Sequence, residues 1–278
     1  MKWDWLYSLL YGALSGFSEF LPISSQAHQV IFLKLTGLGW DSQLPYRLFA
    51  HLGALMALLF ACWTRIAQLR RENRLASIPT RRRKRKPNAI ILLEYRFLRT
   101  AAIPMLISFI LPFVLPAAFN SLWFVSIALL INGLLLYIPQ FVPTGNKEAR
   151  SLSKADAFLT GVCGGLGRFS GCSSVATISG MLKVRGFGWQ YALQTVLLLC
   201  VPMLIGNLCV DFISLFTASS GIAFRYVFLY ILSGFASFTG ASGGIALMRF
   251  LAVKTGFSGF SYYCWGTALF AFILYLVF

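Results

Sequence analysis

Residues 15–28 read SGFSEFLPISSQAH, and residues 168–177, well into the second half of the chain, read RFSGCSSVAT. Both interrupt strongly apolar sequence. The first places a carboxylate, Glu19, ahead of Pro22, a serine pair and His28. Proline costs about 3 kcal/mol in a helix interior, so Glu19–Ser25 reads as the break in a helical hairpin over 3–36 rather than as part of a straight helix. The run GGLGRFSGCSS interrupts 156–186 in the same way. Aligned without a gap, EFLPISSQAH (19–28) and RFSGCSSVAT pair Phe20 with Phe169, Ser24–Ser25 with Ser173–Ser174 and Ala27 with Ala176. Pro22 falls on Gly171, His28 on Thr177, and Glu19 on Arg168. Ten positions carry little weight alone. Their equivalent places in the two halves carry more.

The surrounding composition sets the solvent. Of 278 residues, 58% are hydrophobic and 12% charged, with a mean hydropathy of +0.74. A water-soluble core does not need that much apolar surface, so the chain reads as a single integral membrane domain over 1–278. Runs such as 101–119, 121–142, 191–210 and 260–278 approach the roughly 20 residues a bilayer-crossing helix requires. The formal charge of +16 does not indicate nucleic acid, because ten of the 24 basic residues lie between Arg65 and Lys86, with Glu72 as the one acid among them. Such a segment between apolar spans marks a cytoplasmic loop, here 65–87, and is compatible with anionic lipid. The six cysteines are scattered without C-x-x-C spacing, which argues against a zinc site or a disulfide framework. Asp4 interrupts the N-terminal apolar stretch and no clean cleavage site follows, so that stretch reads as mature chain.

Alternation from a cytoplasmic 65–87 orders the remaining spans: 46–63, 89–118, 121–142, 188–212, 222–245 and 258–278. This arrangement puts 17 basic residues inside, Lys2, Lys34, Arg47 and Arg225 outside, and Arg96, Arg99 and Arg168 within membrane segments. Each half then holds one broken hairpin and three spans in opposite orientation. The expected fold is an all-α polytopic membrane protein with six transmembrane helices and two re-entrant helical hairpins in an inverted repeat, 1–142 and 156–278.

Broken helices expose free N–H groups at their N-termini, which attract anions such as phosphate. Irregular backbone survives at membrane depth only where it lines a cavity or is buried in protein. Glu19, His28 and Arg168 are thus functional candidates, with Ser24, Ser25, Ser173, Ser174 and Thr177 around them. Structural roles compete: serine is a favoured helix cap, Glu19 would suit a helix end, and Arg168 would suit a buried partner for Glu19. His51 reads as a hydrogen-bonded helix histidine, Ser153 and Asp156 as a capping pair, and GASGG (240–244) as close helix packing.

SEFLPISSQAH together with SSVATISGML resembles the undecaprenyl-pyrophosphate phosphatase family, the bacitracin-resistance phosphatases. HLGALMALL (51–59) and LLLCVPMLIG (197–206) extend the likeness over nearly the whole chain. The family's first motif, E-G-x-x-E-F-L-P-x-S-S-x-G-H, places its second glutamate at Glu19, its serines at Ser24 and Ser25 and its histidine at His28. The second, P-G-x-S-R-S-G-A-T-I-S-G, ends on TISG at 177–180. The resemblance implies six spans with two re-entrant hairpins in an inverted repeat, in the bacterial inner membrane. It also implies hydrolysis of polyprenyl pyrophosphate to the monophosphate, recycling the carrier lipid of peptidoglycan synthesis. Glu19 would hold a divalent cation, Mg or Ca. Arg168 and the N–H groups near Ser173–Thr177 would hold phosphoryl oxygens, Ser24 and Ser174 would line the site, and Ser25 or water would attack with His28 as acid or base. The sequence departs from the family where its first glutamate becomes Ser15, its arginine Ser173, and its proline-glycine Phe169–Ser170. Cys172, Val175 and Ala27 also replace family residues, and Arg168 lies five residues upstream of the family arginine. The departures keep a second reading open: a non-hydrolytic polyprenyl-phosphate transporter on the same fold. The lipid and the membrane are the expected partners, a homodimer is a further option, and nucleic acid is not expected.

Overall fold

The computed structural model describes residues 4–37, 43–83, 85–114, 121–143, 145, 147, 149–217 and 224–277. Lys2, Lys84 and the expected span ends 115–118, 222–223 and 278 lie outside the described residues. No strand occurs among those described. The described residues form ten principal helices in order: α1 Asp4–Glu19, α2 Ser25–Thr36, α3 Leu44–Ser77, α4 Ala89–Ile107, α5 Leu122–Tyr137, α6 Lys154–Leu166, α7 Ser174–Val184, α8 Trp189–Thr217, α9 Val227–Lys254 and α10 Phe260–Val277.

The polarity of the molecule is inverted relative to a soluble protein. Phe60, Phe216, Phe228 and Leu276 stand exposed on its outer faces, while Ser8, Ser15, Ser18, Asn132, Ser233 and Ser237 are buried. A hydrocarbon solvent accounts for both halves of that pattern, since backbone and polar side chains must find partners inside. Among the described residues, five helical segments are long and apolar enough to cross a membrane: Leu44–Ser77, Leu122–Phe141, Trp189–Thr217, Val227–Lys254 and Phe260–Val277. The protein is an all-α, multi-pass membrane protein. The α4 segment, with Pro104 inside it and a short continuation at Leu111–Val114, carries Glu94, Arg96 and Arg99 and falls outside that set.

The basic segment departs from the expected loop. α3 runs on to Ser77, so half of 65–87 is helical. Arg, Gln, Leu, Glu and Ala are good helix formers, and nothing breaks the pattern before Pro79. At about 1.5 Å per residue the 34-residue helix spans about 51 Å, well beyond the roughly 30 Å hydrocarbon core. The excess carries Arg65, Arg70, Arg71 and Arg74. Glu72 accepts from the Arg85 guanidinium and, at 2.9 Å, from the Asn88 N–H, which folds the following segment back to the start of α4.

The two halves pack by one pattern. α1 lies along α9 and α6 lies along α4, while α3 meets α8 and α5 meets α10. The register that sets Glu19 against Arg168 also sets Gly12 against Gly161 and Gly16 against Gly165. A Cβ at Gly12 or Gly16 would stand 2.1 Å from the carbonyl oxygen of Ser233 or Ser237 on α9. At Gly161 it would stand 2.2 Å from the Ala101 carbonyl oxygen on α4. Backbone-to-backbone packing of this kind is how helices associate where lipid removes the hydrophobic drive. The small residues of 240–244 serve the same contact, Gly240 and Gly244 facing the carbonyls of Ala13 and Phe17.

Candidate active site

Both interruptions end in the same device. Ser24 caps α2 by accepting the Ala27 N–H at 3.3 Å, and Ser173 caps α7 by accepting the Ala176 N–H at 3.4 Å. The α6 start also matches expectation, with Ser153 and Asp156 forming a reciprocal capping box. Chain direction at each break depends on an unusual backbone. Gly171 has φ +107, and any Cβ there would stand 2.5 Å from that of Ala128. Ser24 has φ +65, a left-handed conformation that costs a non-glycine residue of order 1 kcal/mol or more.

The two breaks touch. The Gly171 N–H donates to Ser24 Oγ at 3.0 Å, and Ser173 Oγ donates to the Leu21 carbonyl at 3.2 Å. Asn132, fully buried on α5, links them further: its Nδ2 donates to the Pro22 carbonyl and its Oδ1 accepts the Ser173 N–H, each at 2.8 Å. The backbone groups of Gly171, Leu21, Pro22 and Ser173 in this seam would otherwise be unpaired dipoles in a dry interior.

Beside the seam is a small polar cavity lined by Glu19, Ser24, Ser25, Gln26, His51, Gly167, Arg168, Cys172, Ser173, Ser174, Met203 and Asn207. Ser25 Oγ donates to Glu19 Oε2 at 2.5 Å. Arg168 is buried, stacked 4.1 Å above the Phe109 ring, with one guanidinium nitrogen on Asn207 Oδ1. Among the described residues its Nε has no partner, nor has Gln26 Oε1. Among the described residues Arg168 makes no ion pair with Glu19, although both line the cavity. A buried guanidinium left short of an acceptor, on a residue that lines a polar cavity, suits an anionic ligand there.

The structure brings Glu19, Ser24, Ser25, Arg168, Ser173 and Ser174 to this cavity. His28 and Thr177, which occupy equivalent places in the two breaks, bond back instead. His28 Nδ1 donates to the Ser24 carbonyl at 2.8 Å, and Thr177 Oγ1 donates to the Ser173 carbonyl at 3.1 Å. His28 Nε2 meets Tyr263 Oη at 2.7 Å, with the two rings stacked. Neither residue lines the cavity. Ser15, at the family's first glutamate, accepts from Gln29 Nε2 at 2.9 Å and also lies outside the lining. His51, read from the sequence as a hydrogen-bonded helix histidine, also lines it, as does Asn207, which the sequence reading passed over. The signal for His51 was a lone acid, Asp211, in an apolar helix: Asp211 accepts from His51 Nδ1 at 2.6 Å. All six cysteines are free.

A multi-pass helical membrane protein with a small polar cavity beside two touching helix breaks is the class that fold and site define. The family model described as Bacitracin resistance protein BacA matches residues 8–270, and the chain belongs to that family. An undecaprenyl-diphosphatase of Methanosphaera stadtmanae is 30% identical over 210 residues, 73% of this chain and 75% of its own length. One of Halothermothrix orenii is 29% identical over 200 residues, covering 71% of each chain. One of Carboxydothermus hydrogenoformans is 28% identical over 244 residues, covering 83% of this chain and 82% of its own.

Proposed function

We propose that the protein is a membrane phosphatase that hydrolyses undecaprenyl pyrophosphate to the monophosphate. One observation carries the reading: Ser25 Oγ–H donates to Glu19 in the cavity where buried Arg168 keeps an unpartnered N–H. Ser25 attacks the terminal phosphorus, and Glu19, already accepting its hydrogen bond, takes the proton. Arg168 holds phosphoryl oxygens through its guanidinium, and Asn207, which also lines the cavity, holds one of its nitrogens in place. The capped starts of α2 and α7 direct two positive helix ends toward the same anion.

A divalent cation suits this cavity as a partner of the substrate. Glu19 is the carboxylate of the lining, with the Ser24 and Ser25 hydroxyls beside it, and such hard oxygens accept Mg or Ca. No group of three His, Cys, Asp or Glu residues forms a metal cluster among the described residues, so pyrophosphate oxygens would complete the coordination. The bound ion would neutralise charge on the substrate.

The same reading includes the inner membrane, the two breaks as re-entrant hairpins and α4 as a sixth crossing in an inverted repeat. The matched packing of α1 on α9 and α6 on α4 supports the repeat. The basic end of α3 supports a cytoplasmic 65–87. Pairing of two copies through lipid-facing helices belongs to this reading too, and crosslinking in membranes would test it. Ser77→Cys should resist a membrane-impermeant thiol reagent applied to intact cells; efficient labelling inverts the topology. The central experiment measures phosphate released from undecaprenyl pyrophosphate by the purified protein, with Mg, with Ca and with chelator. Release that disappears in Glu19→Gln supports the phosphatase. Binding of the lipid without release under any metal condition turns the reading to a transporter.

A further inference from the structure

The cavity holds a second acid–base group that the mechanism above does not use. His51 on α3 directs Nδ1 at Asp211 Oδ2, 2.6 Å away on α8. Asp211 Oδ1 accepts from Arg47 Nε and Nη2, both at 2.7 Å, and Arg47 precedes His51 by one helical turn. A carboxylate in this pairing only accepts, so Nδ1 carries a proton and Nε2 is the nitrogen left to exchange one with a ligand. The carboxylate is 2% exposed and its charge is compensated by Arg47, so the arrangement is set before any ligand arrives. This is the geometry of a histidine oriented by a carboxylate for proton transfer at its other nitrogen. His28 differs at each point: both of its nitrogens are engaged and it does not line the cavity.

Two acid–base pairs in one cavity match the requirements of a two-step hydrolysis. Serine and water approach the phosphorus from opposite sides, and Glu19 must keep the serine proton to return it. We propose that His51 is the general base for the second step, with Asp211 and Arg47 as positioning residues; this rests on the phosphatase reading with Ser25 as nucleophile. In the first step the Ser25 Oγ–P bond forms, Glu19 takes the Oγ proton, and the bridging P–O bond breaks with its electron pair leaving on the lipid monophosphate. In the second a water oxygen bonds to that phosphorus and His51 Nε2 takes a water proton. The Oγ–P bond then breaks, and Ser25 Oγ leaves with the electron pair and recovers the proton from Glu19. Phosphate departs and His51 returns its proton to solvent.

Rapid mixing of the full-length protein in detergent with undecaprenyl pyrophosphate labelled on the terminal phosphate separates the two steps. His51→Gln should release about one equivalent of lipid monophosphate in a burst, slow phosphate release by about 10²-fold or more, and leave label bound at Ser25. Asp211→Asn should show the same burst with a smaller slowing, and Ser25→Ala should show none. Parent-like rates for both products in His51→Gln overturn the inference, and so does joint loss of both products without a burst at an unchanged melting temperature. Should His51→Gln fail to fold, Asp211→Asn decides between the same outcomes. Failure of the phosphatase reading is distinct: the unsubstituted protein would then release no phosphate.

Discussion

The break at Glu19–Ser25 and the break at Leu166–Ser174 are built alike and charged oppositely. Each ends in a serine that caps the next helix, and each is reached through small residues pressed against a neighbouring helix. Where one carries Glu19, the other carries Arg168. The carboxylate is held by a hydroxyl of its own segment, Ser25. The guanidinium is held by an amide and a ring from other elements, Asn207 and Phe109. The difference teaches that the backbone device is general while the chemistry is local. A capped break makes a place for an anion, and the side chain at its edge decides what happens there.

Removing the acid from the first break should have the largest effect. Glu19→Gln keeps the shape but cannot take the Ser25 proton, and phosphate release should fall by about 10²- to 10⁴-fold with lipid binding retained. Next comes the link between the breaks. Asn132→Ala leaves the Pro22 carbonyl and the Ser173 N–H unpaired, at about 1–3 kcal/mol each, so the melting temperature in detergent should drop clearly. Equal thermal stability would mean the two breaks are not coupled through this residue.

Altering the charge in the second break should matter less than in the first. Arg168→Lys preserves the cation but loses the fork and the stacking on Phe109, and kcat/KM should fall by about 10- to 100-fold. Parent-like turnover would remove Arg168 from the site. The smallest contrast lies in the packing beneath. Gly16→Ala forces a Cβ to 2.1 Å from the Ser237 carbonyl oxygen, whereas Gly165→Ala meets the Ser108 side chain at 3.0 Å. Overpacking should cost about 1–3 kcal/mol at Gly16 and less at Gly165. Equal losses in melting temperature would show that α6 has no more room against α4 than α1 has against α9.

Much of this architecture is legible in the sequence. Apolar runs, Pro22 and the glycines of 164–171 are read from near neighbours, because helix breaking and transfer into hydrocarbon depend on local composition. The paired serines were legible for the same reason, since a cap acts on N–H groups two or three residues away. The extent of α3 was less so: basic residues announce an aqueous end but do not stop a helix, and 65–77 stayed helical.

What the sequence by itself determined is the solvent, the number and place of the interruptions, and the residues that stand at their edges. The tertiary structure decided which polar groups meet. His28 follows Ser25 by less than one helical turn, yet its ring turns to Tyr263. His51 and Asp211, 160 residues apart, were joined by the packing of α3 on α8, and Asn132 came between the two breaks through α5. The rotation of each helix about its axis selects those partners. That rotation is set by close packing with neighbours distant in sequence, which no local pattern encodes.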